Sequence, residues 1–510
     1  MKVEFSRNKL GLLTCAYSIL VVLLVIGPSN TRATPTPRPA WPLRVKTVQI
    51  GPGLKKAYLE DQTGTPFFYN ADTCWFLTFK AKDADVIHYF QDRASRGVTV
   101  IQCMLIPWTR EGSDSWSGNK PFIDGKFDQP NEKYWKHLDF VVWSAKQFNL
   151  TLCMALAWNG CCAEGWDEVL RNDYHQQNDC EPLKKYARFV AERYRKSGNV
   201  MIFLGGDSSS NQVSFAKMAQ ALKSVAPEIL IAHHPSSWYG HPDTYGIKSS
   251  TSANEHGHGD YLDISWTYTY WPGQNNRAHS HPYWLNHIEW NRNQNVPKEV
   301  SKVRPFLLGE TGYEGERGST VRRIRRLMHW NFVCGASGHA FGNGSIWGLR
   351  EGWNNRLNSP GSQALGHMLD IYGKRPWWNL VPEQPKKELF IGAPLTIAGA
   401  ETFILSGQEK YDNIRSRDEK RGQKFVAAAR TPDGKLLMAY FPHFYSKNGI
   451  EIDMTRLSAP ATGIWADPHS GKETIIEGSP FANKGTRTFR PPGRNSFGDK
   501  DWVLILQTKT

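Results

Sequence analysis

The chain reads as an α/β protein, a (β/α)8 barrel of the TIM type followed by an antiparallel β-sandwich. Three observations predict this. Strand-like and helix-like stretches alternate through eight strands over about 320 residues, which is the arithmetic of such a barrel. Two apolar runs of strand length, Asn199–Asp207 (NVMIFLGGD) and Val303–Glu310 (VRPFLLGE), each end in glycine and a carboxylate. Beyond Tyr372 the helical period vanishes, and short strands with turn signals take over.

The N-terminus reads as an export signal over residues 1–33. Lys2, Arg7 and Lys9 precede the apolar run Leu10–Gly27, and Thr31-Arg32-Ala33 offers a small-residue cleavage site. At eighteen residues the run could also stay uncleaved as a membrane tether. A secreted or periplasmic location is expected either way, with cell-surface anchoring as the variant. Residues 34–45, with TPTPRPAWP, form a proline-rich linker.

The barrel is expected over residues 46–380. Lys46 onward is extended, and a Gly-Thr-Pro turn suggests a hairpin closing the floor. Strands are read at Phe67–Ala71, Val98–Met104, Thr151–Ala157, Val200–Gly205, Ile229–His233, Leu262–Thr267, Val303–Gly309 and Ala336–Phe341. Helical spacing of apolar residues marks Ala81–Arg96, Asn131–Phe148, Glu181–Lys196, Gln212–Val225, Ser319–Phe332 and Gly361–Tyr372. No good helix joins the fifth and sixth strands, and the Asn/Trp-rich stretch before the seventh reads as loop. A doubly wound sheet would also alternate, but no Gly-rich phosphate loop follows the first strand. The run Arg322–Arg326 reads as a solvated helix face.

From residue 386 to 510 the chain reads as a sandwich. Short strands are expected at Lys424–Ala429, Leu436–Phe441, Gly449–Met454, Thr462–Asp467, Glu473–Ile476, Thr486–Phe489 and Trp502–Gln507, with Pro432-Asp-Gly434 as a hairpin turn. Trp465 and Trp502 are equally core or ligand platform.

Seven of the eight cysteines follow the signal. Cys74, Cys103, Cys153 and Cys334 read as small buried hydrophobes, and Cys180 invites a loop-closing disulfide with Cys161 or Cys162. Metal is not expected: Glu255-His256-Gly-His258-Gly-Asp260 reads as a polar loop rather than a ligand set. No cofactor signature and no nucleic-acid motif appear, although the formal charge of +14 favours acidic partners in general. Asn149-Leu-Thr and Asn343-Gly-Ser match the glycosylation sequon.

In a barrel the reacting groups lie at the C-terminal strand ends. Those ends deliver Asp72 and Trp75, Trp108, Trp158, Asp207, His234, Trp266 with Tyr268, Glu310, and His339. Asp207 after the fourth strand and Glu310 after the seventh would face each other across the mouth. Two such carboxyls suit glycosidic cleavage, one protonating the leaving oxygen and the other attacking or activating water. The aromatic residues (20 Trp, 19 Tyr, 24 Phe) suit stacking against sugar rings.

Phe68-Tyr-Asn-Ala-Asp72-Thr-Cys-Trp75, the Asn199–Asp207 run, His234-Pro235 and Leu308-Gly-Glu310 with Tyr313-Glu314 resemble the motifs of the apiosidase-like glycosidases, the group around glycoside hydrolase family 140. The resemblance spans about Lys46–Leu380. It implies hydrolysis of O-glycosidic bonds in a polysaccharide or oligosaccharide, with Asp207 as acid/base, Glu310 as nucleophile and retention of configuration. Ala71 and Cys74 stand where the family usually has Gly and Ala, so the resemblance does not name apiose as the sugar. The segment from Gly434 to Leu504 resembles the accessory collagen-binding module found behind such barrels. The alternative from another class is a non-catalytic glycan- or collagen-binding adhesion protein.

Overall fold

The computed structural model describes residues 37–108, 115–160, 165–171, 178–208, 212–235, 261–270, 282–295, 302–384, 397–406, 424–445 and 448–509. The export signal, Cys161 and Cys162, and the Glu255–Asp260 loop lie outside them. Among the described residues no helix is long and apolar enough to cross a membrane.

An antiparallel hairpin, β1 (Arg44–Gly51) and β2 (Leu54–Glu60), comes first. It covers the end of the barrel away from the strand C-termini, as expected. Its buried Lys56 donates from Nζ to the carbonyls of Trp377 and Leu380, both at 3.1 Å. Burial lowers that ammonium's pKa to about 7.

Eight parallel strands then close a barrel: β3 (Tyr69–Thr73), β4 (Val100–Met104), β5 (Thr151–Ala155), β6 (Val200–Gly205), β7 (Ile231–His234), β8 (Ile264–Thr269), β9 (Phe306–Thr311) and β10 (Gly338–Gly342), with β10 pairing β3. Every residue of these strands is buried. That is why they read as unbroken apolar runs rather than alternating ones. Several begin about two residues later than expected, which matters for the site.

The helices are α1 (Leu77–Lys80), α2 (Asp83–Ser95), α3 (Glu132–Gln147), α4 (Asp167–Arg171), α5 (Glu181–Tyr194), α6 (Gln212–Val225), α7 (Pro282–Gln294), α8 (Val321–Val333) and α9 (Pro360–Met368). Their starts are chemically marked. Asn131 and Thr320 accept from the backbone of Lys133 and Arg323, and Ser359 accepts from Ser362 with Pro360 in the first turn. In α5, Leu183, Tyr186, Ala187, Val190, Ala191 and Tyr194 form the buried face.

Helix α7 corrects the loop expectation. Its inward face is largely polar (Asn286, His287, Asn293 beside Trp290), so apolar periodicity could not reveal it. Tertiary partners hold it instead: Asn286 Nδ2 donates to Asn331 Oδ1 at 2.8 Å, and Trp290 Nε1 to Ala398 O at 2.9 Å. Cys180 is a buried free thiol 3.9 Å from Ser214 Oγ, so the expected disulfide is not formed. Asn343 is buried and donates to Glu314 Oε2 at 3.0 Å, which removes that sequon from glycan attachment in the folded chain.

The C-terminal sandwich packs a six-stranded sheet on a three-stranded one. The larger holds β11 (Val381–Pro382), β13 (Ala427–Arg430), β14 (Leu436–Phe441), β19 (Trp502–Thr508), β16 (Ala461–Ala466) and β17 (Glu473–Ile475). The smaller holds β12 (Ile404–Ser406), β15 (Ile450–Asp453) and β18 (Thr486–Phe489). Successive side chains go to opposite faces. Met438, Tyr440, Val503 and Ile505 therefore join the barrel core, while Leu437, Phe441, Leu504 and Leu506 fill the space between the sheets. The sandwich is fused to the barrel through one of its own sheet faces.

This fusion overturns the solvated reading of Arg322–Arg326. Arg325 is fully buried and donates to Asp501 Oδ2 and Asp499 Oδ2, each at 2.6 Å, while Arg322 reaches Asp499 Oδ1 at 2.7 Å. Trp465 and Trp502 are core residues, 6% and 9% exposed.

Candidate active site

Two glycines set the carboxylates in place. Gly205 closes β6 with φ +86, and a Cβ there would lie 2.5 Å from the His234 carbonyl oxygen, so the chain turns towards Asp207 only as glycine. On β9 the register slips: Thr267 pairs with Leu308, but Tyr268 pairs with Glu310. Gly309 is the extra residue of this bulge, and a Cβ on it would lie 2.4 Å from the Trp266 ring. The bulge re-aims Glu310 beside Tyr268.

The result is a compact charged cluster. Ligand atoms of Asp207, His234 and Glu310 all lie within 4.8 Å of one another. His234 Nε2 is 2.6 Å from Glu310 Oε2, and its Nδ1 faces the carbonyls of Gly206 and Pro235 at 3.0 and 3.1 Å. Carbonyls only accept, so Nδ1 carries a hydrogen, and Nε2 donates to Oε2 when His234 is protonated. Tyr313 donates its hydroxyl to Glu310 Oε1 while accepting from Trp75 Nε1 at 2.6 Å. Tyr268 donates to Asp207 Oδ1 at 2.6 Å. Three such ligand atoms could converge on a cation.

Burial raises the Glu310 pKa above the ordinary carboxylate range; hydrogen bonds from His234 and Tyr313 pull the other way without cancelling it, and Asp207 adds to the rise. Burial alone would lower His234, but its hydrogen bond to Glu310 and that carboxylate's charge reverse the sign and raise it. The hydroxyl of Tyr268, buried beside two carboxylates, is pushed well above its usual value, so it stays a donor.

Of the residues expected at the mouth, Asp207, Glu310, His234, Tyr268, Trp75 and Trp158 converge. Trp158 meets His234 edge to face at 5.3 Å and Trp75 at 5.3 Å. Trp108 stacks on Trp158 from the rim at 6.3 Å. Trp266 is fully buried beneath the cluster, 5.7 Å from His234, as floor rather than contact surface.

Asp72 and His339 are corrections. Because β3 runs to Thr73, Asp72 lies inside the strand and points outward. Its Oδ2 accepts from Tyr89 at 2.7 Å and pairs with Arg93 at 2.8 Å, both on α2. His339, inside β10, turns outward against Phe332 of α8, and burial lowers its pKa to about 3. Cys74 likewise faces away, towards the Ile346 carbonyl at 3.5 Å.

The site residue that strand ends did not reveal is Tyr313, three positions past Glu310 in a turn. Beyond it a rim forms around Glu316, which accepts from Tyr270 at 2.9 Å and Trp347 at 2.8 Å and pairs with Arg350 at 3.0 Å. Tyr313 did carry a sequence signal, its place in the Leu308-Gly-Glu310 with Tyr313-Glu314 motif, whereas the rim showed only as a density of Tyr and Trp in these loops. Glu314 is fixed elsewhere, by Ser359 and the Gly361 N–H.

The profile of the family described as "Apiosidase-like, catalytic domain" matches residues 54–379. That described as "Putative collagen-binding domain of a collagenase" matches residues 412–507. Among solved structures, one titled glycoside hydrolase aligns at 20% identity over 91% of this chain and 97% of its own, with a TM-score of 0.67. A glycoside hydrolase family 5 protein from Bacteroides vulgatus ATCC 8482 aligns at 20% identity over 88% of this chain and 91% of its own, also at 0.67. At such identity these two share the fold. No curated protein matches the chain.

Proposed function

The chain belongs to the apiosidase-like family of glycoside hydrolases, and from that premise we propose that it is exported and cleaves a complex polysaccharide with retention, using Glu310 as nucleophile and Asp207 as acid/base. One observation carries the reading: the carboxyl oxygens of Asp207 and Glu310 approach within 4.8 Å at the mouth. Retaining pairs stand about 5–5.5 Å apart, whereas inverting pairs need about 6.5–9.5 Å to admit a water.

In the first step a Glu310 oxygen bonds to the anomeric carbon while the glycosidic C–O bond breaks. Asp207 delivers its proton to the departing oxygen. Tyr268 donates to Oδ1, so that proton sits on Oδ2. In the second step Asp207 takes a proton from water, the water oxygen bonds to the anomeric carbon, and the ester to Glu310 breaks. His234 and Tyr313 each donate to one Glu310 oxygen, so the carboxylate leaving in that step departs into preformed hydrogen bonds.

The test is a panel of complex polysaccharides, pectins included, incubated with the mature chain and assayed for released sugar. Release that disappears in Glu310→Gln is the expected result. No release from any of them, with tight binding to one or to collagen, would transfer the protein to the adhesion class.

A further inference from the structure

An aromatic ladder on the outer wall of the barrel has no part in the chemistry above. Trp116, in the β4–α3 connection, meets His137 at 5.4 Å; His137 meets Phe140 at 6.3 Å, and Phe140 meets Trp143 at 6.4 Å. The last three repeat every third residue along α3, each tilted by only 25° or 32° from its neighbour. Trp116 is 44% exposed and Trp143 48%, among the few large apolar side chains left in water. Exposed tryptophans grouped on one surface call for a partner.

The ladder is built rather than incidental. Asp83 Oδ1 lies 3.1 Å from His137 Nδ1, and Trp116 Nε1 donates to His137 Nε2 at 3.4 Å. A carboxylate at Nδ1 and an N–H at Nε2 select one neutral tautomer, with the hydrogen on Nδ1. The backbone N–H of Trp116 donates to Phe79 O at 2.9 Å. An exposed ring held by its only polar side-chain atom and its backbone is pre-organised for contact.

Its position points to the occupant. A barrel helix runs back from the strand C-termini, so α3 starts at the mouth and the ladder descends from there. At its head it joins the site: Phe79 touches Phe76 at 5.1 Å, Phe76 touches Trp108 at 5.9 Å, and Trp108 stacks on Trp158.

We infer that the Trp116–His137–Phe140–Trp143 ladder is a second binding surface, for the part of a polysaccharide chain that extends out of the active-site mouth. Consecutive rings stand about one sugar residue apart. A glycan offers flat C–H faces to the rings and hydroxyls to the charged and polar groups beside them. The inference rests on the glycosidase reading.

The test uses the full chain carrying Glu310→Gln in native gels containing citrus pectin, arabinoxylan or galactomannan. Retardation is expected in at least one gel, weakened about tenfold by Trp116→Ala with Trp143→Ala, as for loss of well-placed aromatic contacts. The matching pair of phenylalanine substitutions should keep most of it. Retardation unchanged in the alanine pair overturns the inference, as does none in any gel. A two-chain mass in light scattering that the alanine pair reduces to one would instead give the ladder to a second copy of this chain. Both rings are about half exposed, so an unchanged melting temperature is expected. Binding needs no cleavage; failure of the glycosidase reading would show separately, as no sugar released from these polysaccharides by the unsubstituted chain.

Discussion

The seam between barrel and sandwich and the mouth of the barrel each hold a pair of carboxylates, and they treat them in opposite ways. At the seam, Asp499 and Asp501 meet the guanidinium of Arg325, with Arg322 on Asp499 and Tyr440 donating to Asp501 at 2.9 Å. Burial works against the ionised Asp499, but the two arginines outweigh it and hold its pKa low. At the mouth, Glu310 meets the imidazole of His234 rather than a guanidinium, and its pKa is raised. A fully compensated carboxylate is fixed in one charge state and serves as a fastener. An under-compensated one can change protonation or bonding, which is what a reacting group requires. The seam spends its charges on cohesion and the mouth keeps its own in reserve.

The sharpest way to break this comparison is to neutralise one group in each region. Glu310→Gln should lower turnover by about 10^3-fold or more while leaving the melting temperature unchanged or slightly higher, since it removes a buried, under-compensated charge. A clear fall in stability would mean that the mouth is also a fastener. Arg325→Met should do the reverse. It leaves Asp499 and Asp501 buried with their main partner gone, at a cost of about 3–5 kcal/mol in denaturant unfolding. The hydrolytic rate of the molecules that remain folded should be near normal.

Smaller effects sharpen it. Tyr313→Phe removes one of the two donors that favour ionised Glu310, so we expect about a tenfold loss of turnover, near one charged hydrogen bond. The acid limb of the rate–pH curve should also move to higher pH. His234→Gln should move it the same way, because an imidazolium beside the carboxylate is lost. An unmoved acid limb in both would show that another group governs it.

The gentlest test compares the two regions by pH alone. Activity needs ionised Glu310 and falls as pH drops through its raised pKa, above the usual glutamate value near 4.3. Asp499 has the opposite sign. Its stabilisation is present above the unfolded aspartate value of about 3.9 and is lost only as pH falls through its lower folded value. Between the two lies a window in which the chain is folded and inactive. Activity should return fully on neutralisation, with far-UV circular dichroism unchanged throughout.

Much of the barrel was legible because parallel strands buried on both faces leave continuous apolar runs, and helices packed on one side leave a 3.6-residue period. Val200–Gly205, Gln212–Val225 and Leu436–Phe441 stand where the sequence put them. Helix α7 was not legible, because its buried face is largely polar and is held by distant groups, Asn286 by Asn331 of α8, Asn293 by Arg304 and Trp290 by Ala398. The arginines of α8 were misread for the same reason. A guanidinium 174 to 177 residues from its carboxylates looks solvated until the chain folds.

The sequence by itself determined the fold class, the accessory sandwich and the carboxylates at the ends of the fourth and seventh strands. Each is a local property, a period or a glycine before an acid. Only the tertiary structure decided which strand-end side chains face the mouth, because a two-residue shift in where β3 begins leaves Asp72 bonded to α2. It likewise supplied the Tyr313–Trp75 contact, the His234 bridge and the Arg325 seam. These join residues 76 to 238 positions apart, and no pattern along a chain records a distance through space.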